Sequence, residues 1–426
     1  MLLFAPFLLQ SDMRETTMKL HAIQKALLLS LVPTTSAFAA ALDRSGQSIA
    51  PFLQPNNYFE ASISVLDPNV SGQDISNNNT GDMAKHYYSP SAAFKIQATE
   101  KFSIGLIYDQ PYGADAEYTG KSNFIENRPV PFKGGTSVTV KTENLNLLFG
   151  YQPTQNWNLY AGAVYQTLDA NVLLRGASYS AYSGYDFKTG RDEAVGWLAG
   201  VAYQIPEIAL KTSLTYRTKI KHEMNAYEKH AIAGLTGNAG FDALLNNINN
   251  SQGETEITTP QSINLDFQTG IMADTVAFAN LRWVNWKDFA IRPYKFGAAS
   301  ILPPIVASTG KKDGFDLVAY TDDQYSITTG VGRKLNDQWA GNVSVGWDSG
   351  AGNPVTILGP TEGYWNLGLG VQYSPTPATF IAGGVKYFWL GDAKAQSGSQ
   401  FNTPGYVADF KNNDAIAYGL KIGYKF

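Results

Sequence analysis

Ile416 to Phe426 reads IAYGLKIGYKF. Ile416, Tyr418, Leu420, Ile422, Tyr424 and Phe426 fall on one face of an extended strand, and Ala417, Gly419, Lys421, Gly423 and Lys425 on the other. In a soluble sheet such an apolar face needs a second apolar layer to pack on. In a membrane barrel it needs only lipid, while the small and charged face meets a wet or plugged interior. With this phase, Phe426 marks the end of the barrel that carries both termini, and Asn57 to Asp67 is the strand that closes against it.

Composition agrees with a barrel. The 426 residues include 40 Gly, 24 Tyr, 22 Phe and 8 Trp, and only 16% are charged, against about 25% in an average soluble domain. A mean hydropathy of −0.18 excludes a helical membrane bundle, and no run of about 18 apolar residues is present to span as a helix. The absence of cysteine removes disulfide frameworks, thiolate chemistry and cysteine zinc sites, and no cofactor is called for. A net charge of −4 gives no basic footprint for nucleic acid.

The first 39 residues read as a signal peptide: Lys19, His21 and Lys25 precede the apolar run Ala26 to Val32, then Pro33 and the small-residue site Ala37-Phe38-Ala39. Cleavage is expected after Ala39, and the acidic Asp12 and Glu15 place residues 1–17 upstream of a true start at Met18 or Met13. Residues 40–56, AALDRSGQSIAPFLQPN, are irregular because of Pro51 and Pro55.

Residues 57–426 then read as about fourteen strands, the even number expected of a single-chain bacterial barrel. They are 57–67, 91–99, 102–118, 136–151, 157–171, 191–204, 207–220, 257–271, 275–289, 315–333, 339–348, 363–373, 380–390 and 413–426. Short turns near 100, 153, 205, 273, 336 and 375 alternate with long segments at 69–90, 113–135, 172–190, 221–256, 290–314, 349–362 and 391–412. A barrel with short periplasmic turns and long extracellular loops produces this rhythm, and a soluble sandwich has no reason to. Several outward faces begin and end on Trp or Tyr, as in Trp339 to Trp347 and Trp365 to Tyr373, which sets rings at both interfaces of a band about 25 Å tall.

One strand is broken. Phe102, Ile104, Leu106 and Tyr108 give a regular outward face, and then Asp109-Gln110-Pro111-Tyr112-Gly113 interrupts it before Glu117 to Thr119 resume. Proline has no N–H to give to a ladder and belongs at edges or bulges. A closed barrel has no edge, so Pro111 must open one locally. In the long segment 222–250, Tyr227 to Leu235 and Gly240 to Ile248 carry helical spacing, with Phe241, Leu244, Leu245 and Ile248 on one face. Ala298 to Ala307, which includes Ile301, Leu302 and Ile305, is apolar enough to form a facing wall.

The stretches YDQPYGAD (Tyr108 to Asp115), TPQSINLDFQTGI (Thr259 to Ile271) and LRWVNWKDF (Leu281 to Phe289) resemble the FadL family of outer-membrane transporters for long-chain fatty acids and other hydrophobic compounds. A closing strand that ends in Phe426 also resembles the assembly signal of outer-membrane barrels. The resemblance implies a monomeric barrel set in outer-membrane lipid and lipopolysaccharide, and plugged by its N-terminal hatch. It implies capture of ligand by the extracellular loops, passage to a lumenal pocket, and sideways release at the kinked third strand. Hatch residues would include Leu42, Arg44, Ile49 and Phe52, but the family's Asn-Pro-Ala motif is absent, so a shorter plug is expected.

Two other classes set the contrast. A general diffusion porin needs opposed charges along a wet lumen; Arg217, Arg333, Lys386, Lys421 and Lys425 are candidates, and in a transporter they would instead meet a fatty-acid carboxylate. An outer-membrane hydrolase needs a positioned base and nucleophile. His222-Glu223 starts like a zincin helix, but Ala226 occupies the second histidine's place, and His86, His222 and His230 are expected as solvated loop residues, with Asp74, Asp82 and Asp242 as acids that could pair with one. An enzyme is not expected.

Overall fold

The protein is described by a computed structural model over residues 42–126 and 132–426, so the expected signal peptide lies outside the described residues. Fourteen strands close one antiparallel barrel. They are β1 (Tyr58–Asn69), β2 (Tyr87–Gln97), β3 (Phe102–Asp109, resuming as Gly113–Glu117), β4 (Ser137–Tyr151), β5 (Trp157–Leu174), β6 (Asp192–Ile205) and β7 (Leu210–Arg217), followed by β8 (Ser262–Met272), β9 (Thr275–Val284), β10 (Gln324–Lys334), β11 (Trp339–Asp348), β12 (Tyr364–Tyr373), β13 (Thr379–Leu390) and β14 (Asp414–Lys425). Each pairs with its neighbour in sequence, and β14 closes on β1 with Tyr58 opposite Lys425 and Asn69 opposite Asp414. Closure gives the backbone groups internal partners, which a lipid environment demands.

The faces sort as the alternation requires. On β14, Ile416, Tyr418, Leu420, Ile422 and Tyr424 are exposed, while Ala415, Ala417 and Lys421 are buried inside. Aromatic pairs gather at the short-turn end (Trp339 on Tyr373, Trp157 on Tyr203, Phe102 on Tyr151) and at the long-loop end (Trp347 near Trp365, Trp197 near Tyr216). Amphipathic rings at two levels bound the apolar band.

The long loops build a cap with its own apolar core. Gly72–Asp74, Ala408–Phe410, Ala393–Gln396 and Val355–Thr356 form a small sheet drawn from three loops. Three helices, α1 (Ala239–Asn250), α2 (Tyr294–Ser300) and α3 (Pro303–Thr309), pack in series. Asn238 caps α1 by accepting from the Phe241 N–H, and Pro303 opens α3 where a missing N–H is harmless.

Four expectations need correction. Tyr227 to Leu235 is not helical: Tyr227–His230 is a strand paired with Tyr185–Lys188, and its alternate residues Glu228 and His230 are buried. Ile220–Met224 likewise pairs with Thr255–Thr259, so α1 is the one helix within 222–250. The tenth strand starts at Gln324 rather than Phe315, because Phe315, Leu317 and Val318 belong to the buried loop core. β2 starts at Tyr87, four residues before Ser91, and carries Pro90 inside it.

Candidate functional site

The break in β3 is real and its cause is local. Up to Asp109 the strand pairs on both sides, with Tyr108 opposite Ala92 of β2 and Leu145 of β4. Past Pro111 it stays on β4, from Gly113 opposite Lys141 to Glu117 opposite Ser137, but leaves β2. Pro111, Tyr112, Gly113 and Ala114 are all buried in succession, so the alternation fails and the strand is drawn into the lumen. On the far side of the gap, Pro90 lies in the part of β2 that has lost β3 as a partner, where a proline is tolerated.

The N-terminal segment occupies the opened edge. The Arg44 N–H donates to the Pro111 carbonyl at 2.7 Å and the Gly113 N–H to the Leu42 carbonyl at 2.8 Å, with Asp43 and Tyr112 as antiparallel partners. Further on, Met83 and Lys85 pair in the same way with Glu117 and Asp115. Side chains of the N-terminal segment anchor this seat. The Arg282 guanidinium on β9 donates to the Asp43 carboxylate at 2.7 and 3.1 Å, both groups almost fully buried, and also to Asn264 and Gln47. Ser45 donates to Asp109 at 2.5 Å. Below, Ile49, Phe52 and Leu53 pack among Ile107, Leu148, Tyr160 and Leu198. Glycine at 105 leaves the room: a Cβ there would lie 2.5 Å from the Phe52 ring.

Two adjoining apolar clefts lie behind the break. One lies between Leu42, Tyr112, Val140, Leu168, Trp286 and Phe289 and leaves a free cavity of only about 10 Å³, and the other lies between Ala114, Val172, Phe187, Leu317, Tyr320 and Leu358 and leaves about 20 Å³, so a guest has to spread their walls. Leu42, Val140, Ala170 and Ile291 wall both. Tyr112 meets Trp286 edge to face at 5.5 Å and donates to the Pro260 carbonyl at 3.2 Å. Such walls suit a hydrophobic guest.

The expected cations separate into three kinds. Arg217 is buried, and its Nε and Nη1 have no partner among the described residues. Lys386 faces inward without a hydrogen bond among them. Lys421 is already neutralised by Glu60 at 3.0 Å, and Arg333 points to the exposed face beside Met272, so neither is free to meet a ligand inside. In the cap, Leu245 and Ile305 are core residues, Phe241, Ile248 and Leu302 are half-buried against that core, and Leu244 and Ile301 are exposed.

His222 and His230 are not solvated. His222 Nδ1 lies 2.7 Å from Asp192 and Nε2 lies 3.1 Å from the Gln166 amide oxygen, so its second nitrogen faces an amide and not a nucleophile. Burial lowers the affinity of both rings for a proton.

A family model described as "Outer membrane protein transport protein (OMPP1/FadL/TodX)" matches residues 40–426. The chain belongs to the FadL/TodX family. No curated protein matches it by sequence. Among solved structures it is similar to a Pseudomonas aeruginosa FadL homologue, at a TM-score of 0.68 and 14% identity, with 93% of this chain and 99% of that one covered. It is also similar to the Pseudomonas putida toluene transporter TodX (TM-score 0.60, 12% identity, 88% and 91% covered) and to the Ralstonia pickettii toluene transporter TbuX (0.57, 12%, 91% and 95%). At such identities the likeness speaks for the fold alone. Membership in the FadL/TodX family places the barrel in the Gram-negative outer membrane and among transporters of hydrophobic compounds.

Arg282 escaped the sequence reading although it stands in the quoted LRWVNWKDF. A charge at mid-strand between the outward Leu281 and Trp283 has to face the lumen, and that alternation could have singled it out. Its partner Asp43 comes from the N-terminal segment, 239 residues away, and no local pattern joins the two.

Proposed function

We propose that this FadL/TodX-family barrel takes up long-chain fatty acids and related hydrophobic compounds, and releases them sideways into the outer membrane between β2 and β3. In this reading the chain is exported through a signal peptide cleaved after Ala39 and works as a monomer in contact with lipid and lipopolysaccharide. Ligand is caught at the cap by Phe241, Leu244 and Ile248 of α1 and by Ile301 and Leu302, then settles in the apolar clefts. Arg217, buried with two free donors, takes a carboxylate head by charge-assisted hydrogen bonds. Displacement of residues 42–44 then joins the clefts to the gap.

The observation that carries this reading is that Leu42 and Tyr112 serve twice. They pair the hatch to the open edge of β3, and they line the cleft behind it. A guest that enlarges the cleft therefore presses on the same contact that covers the gap. The porin reading needs a continuous wet lumen, whereas Phe52 among the strands, Trp286 beside Tyr112 and Tyr118 against Phe124 and Phe410 in the cap are all fully buried in apolar packing.

The test is uptake of labelled oleate and of an uncharged hydrocarbon by cells that depend on this protein, with ion conductance measured alongside. Saturable uptake of either with little steady current is the expected result. A large steady current without saturable uptake would replace this reading with a porin.

A further inference from the structure

Arg44 stands where the missing β2–β3 ladder should be. The register that sets Ala92 opposite Tyr108 would, if continued, bring Tyr87 opposite Gly113. Those two residues now hold the Arg44 guanidinium between them. Its Cζ lies 3.7 Å from the centre of the Tyr87 ring, and a Cβ on Gly113 would fall 2.6 Å from the same atom. Glycine is thus required at 113 for the guanidinium to lie there, and the tyrosine face supplies a cation–π contact.

The charge at this spot is incompletely served. Arg44 is only 7% exposed, and its Nη2 has no hydrogen-bond partner among the described residues. Asp115 acts on it through space without a hydrogen bond. A buried cation with an unsatisfied donor and no hydrogen-bonded counter-ion gains from any anion that reaches it and loses further if an apolar body strips away what contacts it has.

We propose that Arg44 is the stopper of the gap and that it selects ligands by head-group charge. This rests on the uptake reading above. A carboxylate arriving from the cleft supplies the missing acceptor at Nη2, draws the guanidinium off the Tyr87 ring and leaves the space beside Gly113 open for the chain that follows. A neutral ligand of equal length offers no acceptor and must push the stopper aside uncompensated. One charge-assisted hydrogen bond separates the two, which corresponds to about tenfold in rate or more.

The experiment compares oleate with its methyl ester in proteoliposomes holding the wild-type barrel, Arg44→Gln, Arg44→Lys and Tyr87→Leu, each first shown to be folded by its heat-dependent shift on a gel. Wild type is expected to move the acid about tenfold faster than the ester. Arg44→Gln should bring the ratio to within about twofold of one, chiefly by speeding the ester. Arg44→Lys keeps the charge and should retain most of the preference, and Tyr87→Leu should speed both ligands while preserving their ratio. An Arg44→Gln ratio equal to that of wild type, with wild type moving both ligands, overturns the assignment of Arg44 alone. A wild-type barrel that moves neither overturns the uptake reading and this inference with it.

Discussion

Asp43→Asn should loosen the hatch by a calculable amount. The Asp43 carboxylate and the Arg282 guanidinium are 2% and 3% exposed and bonded through two contacts, at 2.7 and 3.1 Å. Removing one partner of such a pair leaves a buried charge uncompensated, at about 3–5 kcal/mol. Arg282 keeps Asn264 at 2.7 Å and Gln47 at 3.1 Å, which argues for the lower end. About 3 kcal/mol acting on a seated-to-displaced equilibrium multiplies the displaced fraction by about 100. Planar-bilayer recordings should show openings that are rare in wild type becoming frequent, with deletion of residues 40–54 as the upper limit. Asp43→Ala combined with Arg282→Met should open less often than either single change, because the pair is then replaced by apolar groups. A deletion that raises conductance while Asp43→Asn records like wild type would refute the ion pair as the anchor. A deletion with no effect would refute the seating of the hatch.

Arg217→Met should weaken oleate binding by about tenfold or more and leave toluene binding unchanged, as read by competition with a fluorescent fatty acid; an equal loss for both would make Arg217 a folding residue. Burial lowers the His230 pKa to about 4 from its ordinary 6.5, with the Lys295 carbonyl opposing. Because the folded value lies below the unfolded one, the contribution of the neutral ring is fully present above about pH 6.5 and is lost as the pH falls toward 4. Protection of the Tyr185–Lys188 and Tyr227–His230 amides against hydrogen exchange, taken relative to the intrinsic rate at each pH, should therefore fall on moving from pH 7 to 5, and His230→Gln should remove the difference. Trp286→Ala should enlarge the cleft against Tyr112 and raise binding of bulkier aromatic compounds relative to toluene, measured by the same competition.

The barrel was legible because lipid on one side and lumen on the other impose a period of two on every strand, and IAYGLKIGYKF carries it without a fault. Pro111 was legible for an equally local reason, its missing N–H. That Leu42 and Arg44 meet Tyr112, Gly113 and Tyr87 was not legible, since those partners are set by tertiary register. Local spacing misled at Tyr227 to Leu235, where a helical pattern was overridden by pairing with Tyr185–Lys188. Arg333 and Lys421 show the limit of charge counting. One faces outward because of its phase in β10, and the other is answered by Glu60 on the strand that closes the barrel.

The central claim is that ligand leaves through the gap at the broken third strand. Its most direct test makes that strand regular: Gln110→Val, Pro111→Thr, Tyr112→Val and Gly113→Thr, combined with Pro90→Thr across the gap, restore both the N–H groups and the alternation, so that β2 and β3 can pair throughout. Uptake of labelled oleate by cells carrying this barrel should fall to background while the protein still folds and inserts. Uptake equal to that of wild type would contradict lateral release.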